Sequence, residues 1–277
     1  MHGIFRATSV GQASKASKPK KLRPVHPNIG LSVAYRKKLD RLIKEMNASV
    51  DYWIKAAYRE NPPAMAMDDI LPANALKKAI ELLKKRWLKR FDWAAPQLAK
   101  YFATAAHKRT DQQLASILRK GGFSVRFQMS QAMKDVVEAT TAENVGLIKS
   151  IASQHLQEVE GLVMRSVSAG RDLGTLSKQL EKRYGVTKRR AALISKDQNN
   201  KATANMSRVR FIENGITTAT WRHSGGGKVP RPTHVKNNGK TYDVTKGWYD
   251  PAVKEFIHPG QLINCRCVSI PIVPGFS

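Results

Sequence analysis

The sequence predicts an α+β protein: a predominantly helical body followed by a small β-and-loop C-terminal module. Three observations carry this. Apolar residues recur at intervals of three and four through most of residues 31–215, the spacing of a buried helix face. After Gly215 that spacing stops, and short β-prone runs alternate with turns rich in Gly, Pro and Asn. The only two cysteines, Cys265 and Cys267, fall in this last part, in the stretch HPGQLINCRC that starts at His258. Hydrophobic residues make up 42% of the 277, enough to build a core and to exclude wholesale disorder.

Residues 1–30 are rich in Ser, Lys and Pro, without periodicity, and are expected to form a flexible basic arm. They contain no hydrophobic segment of the secretory kind, and the arm is preferred over an organelle transit peptide. Lys18, Lys20, Lys21 and Arg23 read equally well as phosphate contacts or as a solvated tail. From Ser32, the positions Leu39, Leu42, Ile43, Met46, Val50, Trp53, Ile54 and Ala57 mark one helix face, which the Asn-Pro-Pro at 61–63 should end. A second helix is expected from Ala73 to Phe91. Its far side carries Lys77, Lys78, Lys84, Lys85, Lys89 and Arg90, a stripe suited to DNA, a membrane surface or an acidic partner, and more often simply a solvated face. A third, Ala94 to Lys120, should stop at Gly121-Gly122.

Val145, Ile148, Ala152, Leu156, Val159, Val163 and Val167 then define a long amphipathic helix, closed by Gly170. His155 borders its stripe and is expected to be a hydrogen-bonded core-edge residue. A shorter helix should stop at Gly185, with Thr187 capping the next, which runs to Asn214-Gly215. In that last helix SKDQNNK, 195–201, puts polar groups on every face. Arg190, Asp197 and Lys201 are spaced for ion pairing, either on the surface or as a buried network.

The net charge of +27 is distributed, with excesses of +9, +8 and +10 over residues 1–60, 61–185 and 186–277. Such self-repulsion is relieved by a polyanion or an acidic partner. Nucleic acid is the first candidate, because neutralised phosphates release counterions. No apolar run is long enough to cross a bilayer.

Residues 216–277 read as strands ITTATWRHS and CRCVSIPIV around a turn-rich middle with Asn238-Gly239 as a tight turn. On an extended strand Cys265 and Cys267 face one side, and Val268, Ile270 and Ile272 the other, toward the core. Two adjacent thiols suit one metal ion, whereas a disulfide between them would close a strained ring. With His234 and His258 they make a Cys2His2 set for structural, tetrahedral zinc, with His223 as the substitute for His234. Two alternatives stand beside this. The thiols could be small buried hydrophobes, or the His and Asn residues could serve a metal-dependent nuclease, for which Asp243 and Asp250 are the nearby carboxylates.

The helix KRRAALISKDQNNKATANMSRVRFIENGI leading into TTATWRHS, then RPTHVKNNGKTY, then HPGQLINCRC, in this order and spacing, resembles the phage head morphogenesis family of minor head proteins. The likeness covers about residues 130–275. It departs from the family at Asp197-Gln198, where Thr-Glu is common, and at the glycines 225–227. It implies a variable helical region at 31–125, a family helical core at 126–215 and the β-rich module at 216–277. It also implies a non-enzymatic virion protein near the portal vertex, assembled in the host cytoplasm. Expected partners are the portal protein and phage double-stranded DNA, with scaffold or major capsid protein as further candidates.

Overall fold

The computed structural model describes residues 18–60, 72–170, 172–226 and 229–274. The arm up to residue 17, the Asn-Pro-Pro stop and Gly227 lie outside these residues. Helices are α1 (Ile29–Glu60), α2 (Pro72–Lys120), α3 (Gln131–Ser168), α4 (Leu173–Glu213) and the short α5 (Pro232–Lys236). Strands are β1 (Lys20–Lys21), β2 (Thr218–Arg222), β3 (Thr241–Asp243), β4 (Trp248–Asp250), β5 (Glu255–Ile257) and β6 (Val268–Val273). The expected helical body and small β module are both present.

Contacts divide the chain into two discontinuous units. One comprises residues 33–101 and 141–195; the other comprises 1–32, 102–140 and 196–277. In the first, the stripes read from the sequence are buried: Leu39, Ile43, Met46, Val50 and Ile54 on α1, and Ile148, Ala152, Leu156, Val159 and Val163 on α3. Polar links tie α3 to α1 and to α2. Tyr35 Oη donates to Asn144 Oδ1 at 2.9 Å, and Lys84 Nζ pairs with Glu160 at 2.5 Å.

Two expected helix breaks do not occur. α2 is continuous across Pro96, because Ala94, Ala95, Ala99 and Phe102 keep one buried phase on both sides of the proline. α4 runs through Gly185, and Thr187 is no cap. Its hydroxyl donates to the Arg183 carbonyl (3.1 Å) within the helix and lies 2.9 Å from His155 Nδ1, so His155 is the buried, hydrogen-bonded residue expected. The other stops hold, with Gly122, Gly170 and Gly215 at φ 95, 58 and 68.

In the second unit an antiparallel sheet has the order β1-β6-β2-β3, and β4-β5 form a separate hairpin. β2 lies centrally, with Thr218 opposite Ile272 and Asp243, and β1 sets Lys20 opposite Val273. Residues 18–28 therefore correct the expected arm. Lys20 and Lys21 are an edge strand, and Leu22 and Val25 enter the core with Trp221, Tyr242, Val273 and both cysteines. Leu114 and Leu118 of α2 and Phe211 of α4 close that core. The module at 216–277 is thus not self-contained. Its strands are too short to bury a face among themselves, so they recruit helix ends and the segment before α1.

Candidate metal centre

Three buried side chains meet beside β2: His234, Cys265 and Cys267. His234 is carried by α5, which Pro232 starts, with Arg231 in extended conformation before it. The ring is 2% exposed and packs edge-on against Trp221 at 5.1 Å between centroids. The cysteines lie in the loop entering β6. They share the buried side of that strand with Pro271 and Val273, while Val268, Ile270 and Ile272 are only half-buried. This reverses the expected facing, since the thiols belong to the core side.

His234 Nδ1 lies 3.5 Å from Cys265 Sγ and 3.6 Å from Cys267 Sγ. A neutral imidazole nitrogen has one lone pair and can accept from one thiol, so two equidistant sulfurs are not explained by one hydrogen bond. A tetrahedral zinc is a different matter. With Zn–S of about 2.3 Å and Zn–N of about 2.0 Å at the tetrahedral angle, the S···N separation is about 3.5 Å. These three donors fit three of the four tetrahedral positions of zinc in identity and in their S···N spacing.

The far side of the ring supports this. Nε2 of His234 lies 3.3 Å from Oδ2 of Asp250, which is wholly buried. That carboxylate accepts from Thr233 Oγ1 (3.2 Å) and the Ala252 amide (2.9 Å), and its contact with the ring is one of charge. A carboxylate behind a histidine keeps the proton on the outer nitrogen and leaves the inner one free to ligate. Without a cation, the two thiols cannot both ionise. Cys265 is drawn down, first by the Cys267 side chain beside it, against the cost of burial, and then by His234. Cys267 is pushed up, by Cys265 and by burial. A dication would relieve the repulsion between the two sulfurs and accept both as thiolates.

α4 holds the loop in place. Asp197 accepts the Asn264 amide at 2.5 Å, and Asn264 takes a left-handed φ of 60 immediately before Cys265. Asn200 donates to the Cys265 carbonyl at 3.2 Å, and Asn199 to the Asn28 carbonyl at 3.0 Å. The polar run 195–201 thus anchors irregular backbone to a helix. Of the expected network, Asp197 does pair with Lys201 at 3.4 Å. Arg190 does not join it and donates to Ser150 Oγ at 2.9 Å.

His258 is corrected as a ligand. It is buried elsewhere in the core, its ring 6.3 Å from that of Tyr242, and among the described residues the metal-capable group does not include it. The Pro259-Gly260 bend sends the chain against α4 instead of returning the ring to the thiols. Gly260 sits so close to Ala204 that a Cβ there would lie 2.8 Å from that residue's own. Burial, with Arg208 nearby, lowers His258 to about 4, so the ring is neutral. His223 borders the same cavity as the three site residues, with Ser224, Arg231, Asn264 and Arg266, and its Nδ1 accepts from the Gly225 amide at 3.2 Å. Asp250, noted in the sequence only as a nearby carboxylate, proves to be the ring's support.

The expected phosphate-binding residues have mixed fates. Lys20 Nζ donates to the Gly121 carbonyl at the end of α2 (2.8 Å), and Lys84 is taken by Glu160. Lys18, Lys21, Arg23, Lys77, Lys78, Lys85, Lys89 and Arg90 are exposed, and Arg90 lies over the Trp93 ring at 4.8 Å.

Residues 157–270 match the family described as "Phage Mu protein F like protein". A Haemophilus influenzae (strain ATCC 51907 / DSM 11121 / KW20 / Rd) protein described as "Uncharacterized protein" is 28% identical over 268 residues, covering 94% of this chain. The chain spans 57% of that relative's length. No solved structure matches.

Proposed function

We propose that the chain, whose residues 157–270 match the phage Mu protein F-like family, is a non-enzymatic minor head protein of the head morphogenesis kind with a zinc-tied C-terminal module. It sits at the portal vertex, contacts packaged double-stranded DNA, and acts in procapsid assembly, packaging or genome delivery. The observation that carries this reading is the extent of the match. It covers all of α4, α5 with His234, β4 with Asp250 and the loop with Cys265 and Cys267, so every residue of the candidate metal centre lies within the matched part. The net charge of +27 supports a place beside nucleic acid, and no helix among the described residues is long and apolar enough to cross a membrane.

In this reading His234 Nδ1, Cys265 Sγ and Cys267 Sγ hold the ion. Bound zinc contributes folding energy, about 10–16 kcal/mol in small zinc peptides, to a region whose strands are three to six residues long apart from the two-residue β1. The alternative, a metal-dependent nuclease, draws less support. His223, His234 and Asn264 line one cavity, but His258 is buried away from the thiols, and Asp250 lies behind His234.

The test joins metal analysis of the purified chain with mass spectrometry of phage particles and a DNA cleavage assay. One zinc per chain, presence in heads and no cleavage are expected. A chain missing from both procapsids and virions overturns the head assignment, and metal-dependent cleavage overturns the non-enzymatic one.

A further inference from the structure

A groove between α3 and α4, within the unit of residues 33–101 and 141–195, gathers three arginines that the metal centre does not use. Arg183, Arg189 and Arg190 project from α4 toward Gln154, Gln157 and Glu158 of α3. The α4 side is one helical stripe, 183, 186, 190 and 193, with steps of three, four and three. Arg190 is held by its bond to Ser150 Oγ at 2.9 Å, which fixes the guanidinium plane. Among the described residues, no carboxylate lies within ion-pair distance of any of the three.

Two donors in this groove are unspent. The Nε atoms of Arg183 and Arg190 are both sealed from solvent and both without a hydrogen-bond partner. A buried donor left unpaired costs about 1–3 kcal/mol. Because both Nε atoms are sealed, an oxyanion in the groove meets the Nη edges of the guanidiniums, whose paired N–H donors match it in two-point geometry. Glu158 on the rim offsets one of the three charges, leaving the groove with an excess of two.

We propose that this groove is an oxyanion site that takes a phosphate group, supplied by the backbone of nucleic acid or as free phosphate. An acidic amphipathic helix is the competing occupant, since Val186 and Leu193 lie on the same stripe. They are 36% and 42% exposed, separated by a full two turns and by arginine, and form no continuous apolar seam for a helix to bury. The phosphate reading rests on the DNA contact proposed above and assigns it a specific place.

The experiment uses the full chain. Binding of a fluorescent duplex is measured against salt, and melting temperature is followed with added inorganic phosphate. Three double variants are compared with the wild type: Arg183→Gln with Arg190→Gln, Arg183→Lys with Arg190→Lys, and Lys178→Gln with Lys182→Gln on the exposed side of the same helix. The glutamine pair is expected to weaken duplex binding at least ~10-fold at low salt and to lower the slope of log K on log salt by about two. The lysine pair keeps the charge and guards against misfolding, and it should lose the phosphate-induced rise in melting temperature. The Lys178/Lys182 control should retain that rise. A phosphate-induced rise lost in both arginine pairs, with duplex binding unchanged, assigns the groove to free phosphate. Equal losses of duplex binding in the glutamine pair and the control, with no response to phosphate, overturn the site and leave general DNA binding intact. A groove that binds poly-glutamate but neither phosphate source overturns it in favour of the acidic helix.

Discussion

Replacing Asp250 by Asn tests the metal centre without removing a ligand. The carboxylate is wholly buried, and its Oδ2 lies 3.3 Å from Nε2 of His234, near enough for charge though off the line of a strong hydrogen bond. At an effective dielectric of about 20, a full unit charge at that separation would contribute about 5 kcal/mol, an upper bound because a metal-bound ring carries only part of the ion's charge. The amide is isosteric, and its oxygen can still accept from the Ala252 amide. Its NH2 group must then face Nε2. A donor there favours the tautomer with the proton on Nδ1, the nitrogen turned to the thiols, which cannot then ligate. Zinc affinity is expected to fall 10–100-fold, about 1.4–2.7 kcal/mol. Competition with a chromophoric chelator measures the affinity, and melting of the zinc-free proteins isolates any loss of fold. An Asp250→Asn variant that binds zinc as tightly as the wild type would refute the supporting role. A wild type whose melting temperature ignores zinc altogether would refute the centre.

Other outcomes follow from other parts of the structure. His155 is held neutral, lowered to about 4 by burial and then by Arg183, whereas the unfolded chain protonates near 6.5. Its contribution is complete above pH 6.5 and is lost as pH falls toward 4, a change of about 3 kcal/mol that His155→Gln should remove from urea midpoints compared at pH 7 and 4.5. Arg210 is 2% exposed and bonds Asp111 through two nitrogens, at 2.7 and 2.8 Å, together with Glu213 and the Gln128 carbonyl. Arg210→Met strands two carboxylates and should cost about 3–5 kcal/mol, and adding Asp111→Leu should restore part of it. Asn264→Gly should be tolerated, whereas Asn264→Val, at φ 60, should cost about 1–2 kcal/mol and weaken zinc binding, read by melting and chelator competition.

The departures between expectation and structure fall at particular places. Helix phases are legible on α1 and α3 because burial of a stripe is a repeating, local property of the chain. The breaks expected before Pro96 and at Gly185 fail for the complementary reason. Neighbouring helices bury residues on both sides, and that packing outweighs a local cost of about 1–3 kcal/mol for Gly or Pro inside a helix. Lys20 and Lys21 resemble a tail because two residues show no period. Only β6 lying alongside reveals a strand.

At the candidate site, the sequence by itself determined that two thiols would lie side by side, that imidazoles would be near in the chain, and that positive charge would be spread throughout. Which imidazole joins the thiols was decided in three dimensions. Gly260 pressed against Ala204, and Asn264 held by Asp197, fix the direction of the loop, so that His234 comes in and His258 stays out. Spacing limits which residues can meet. Contacts between segments more than sixty residues apart select which ones do, because a flexible loop has many low-energy directions until a packed helix removes all but one.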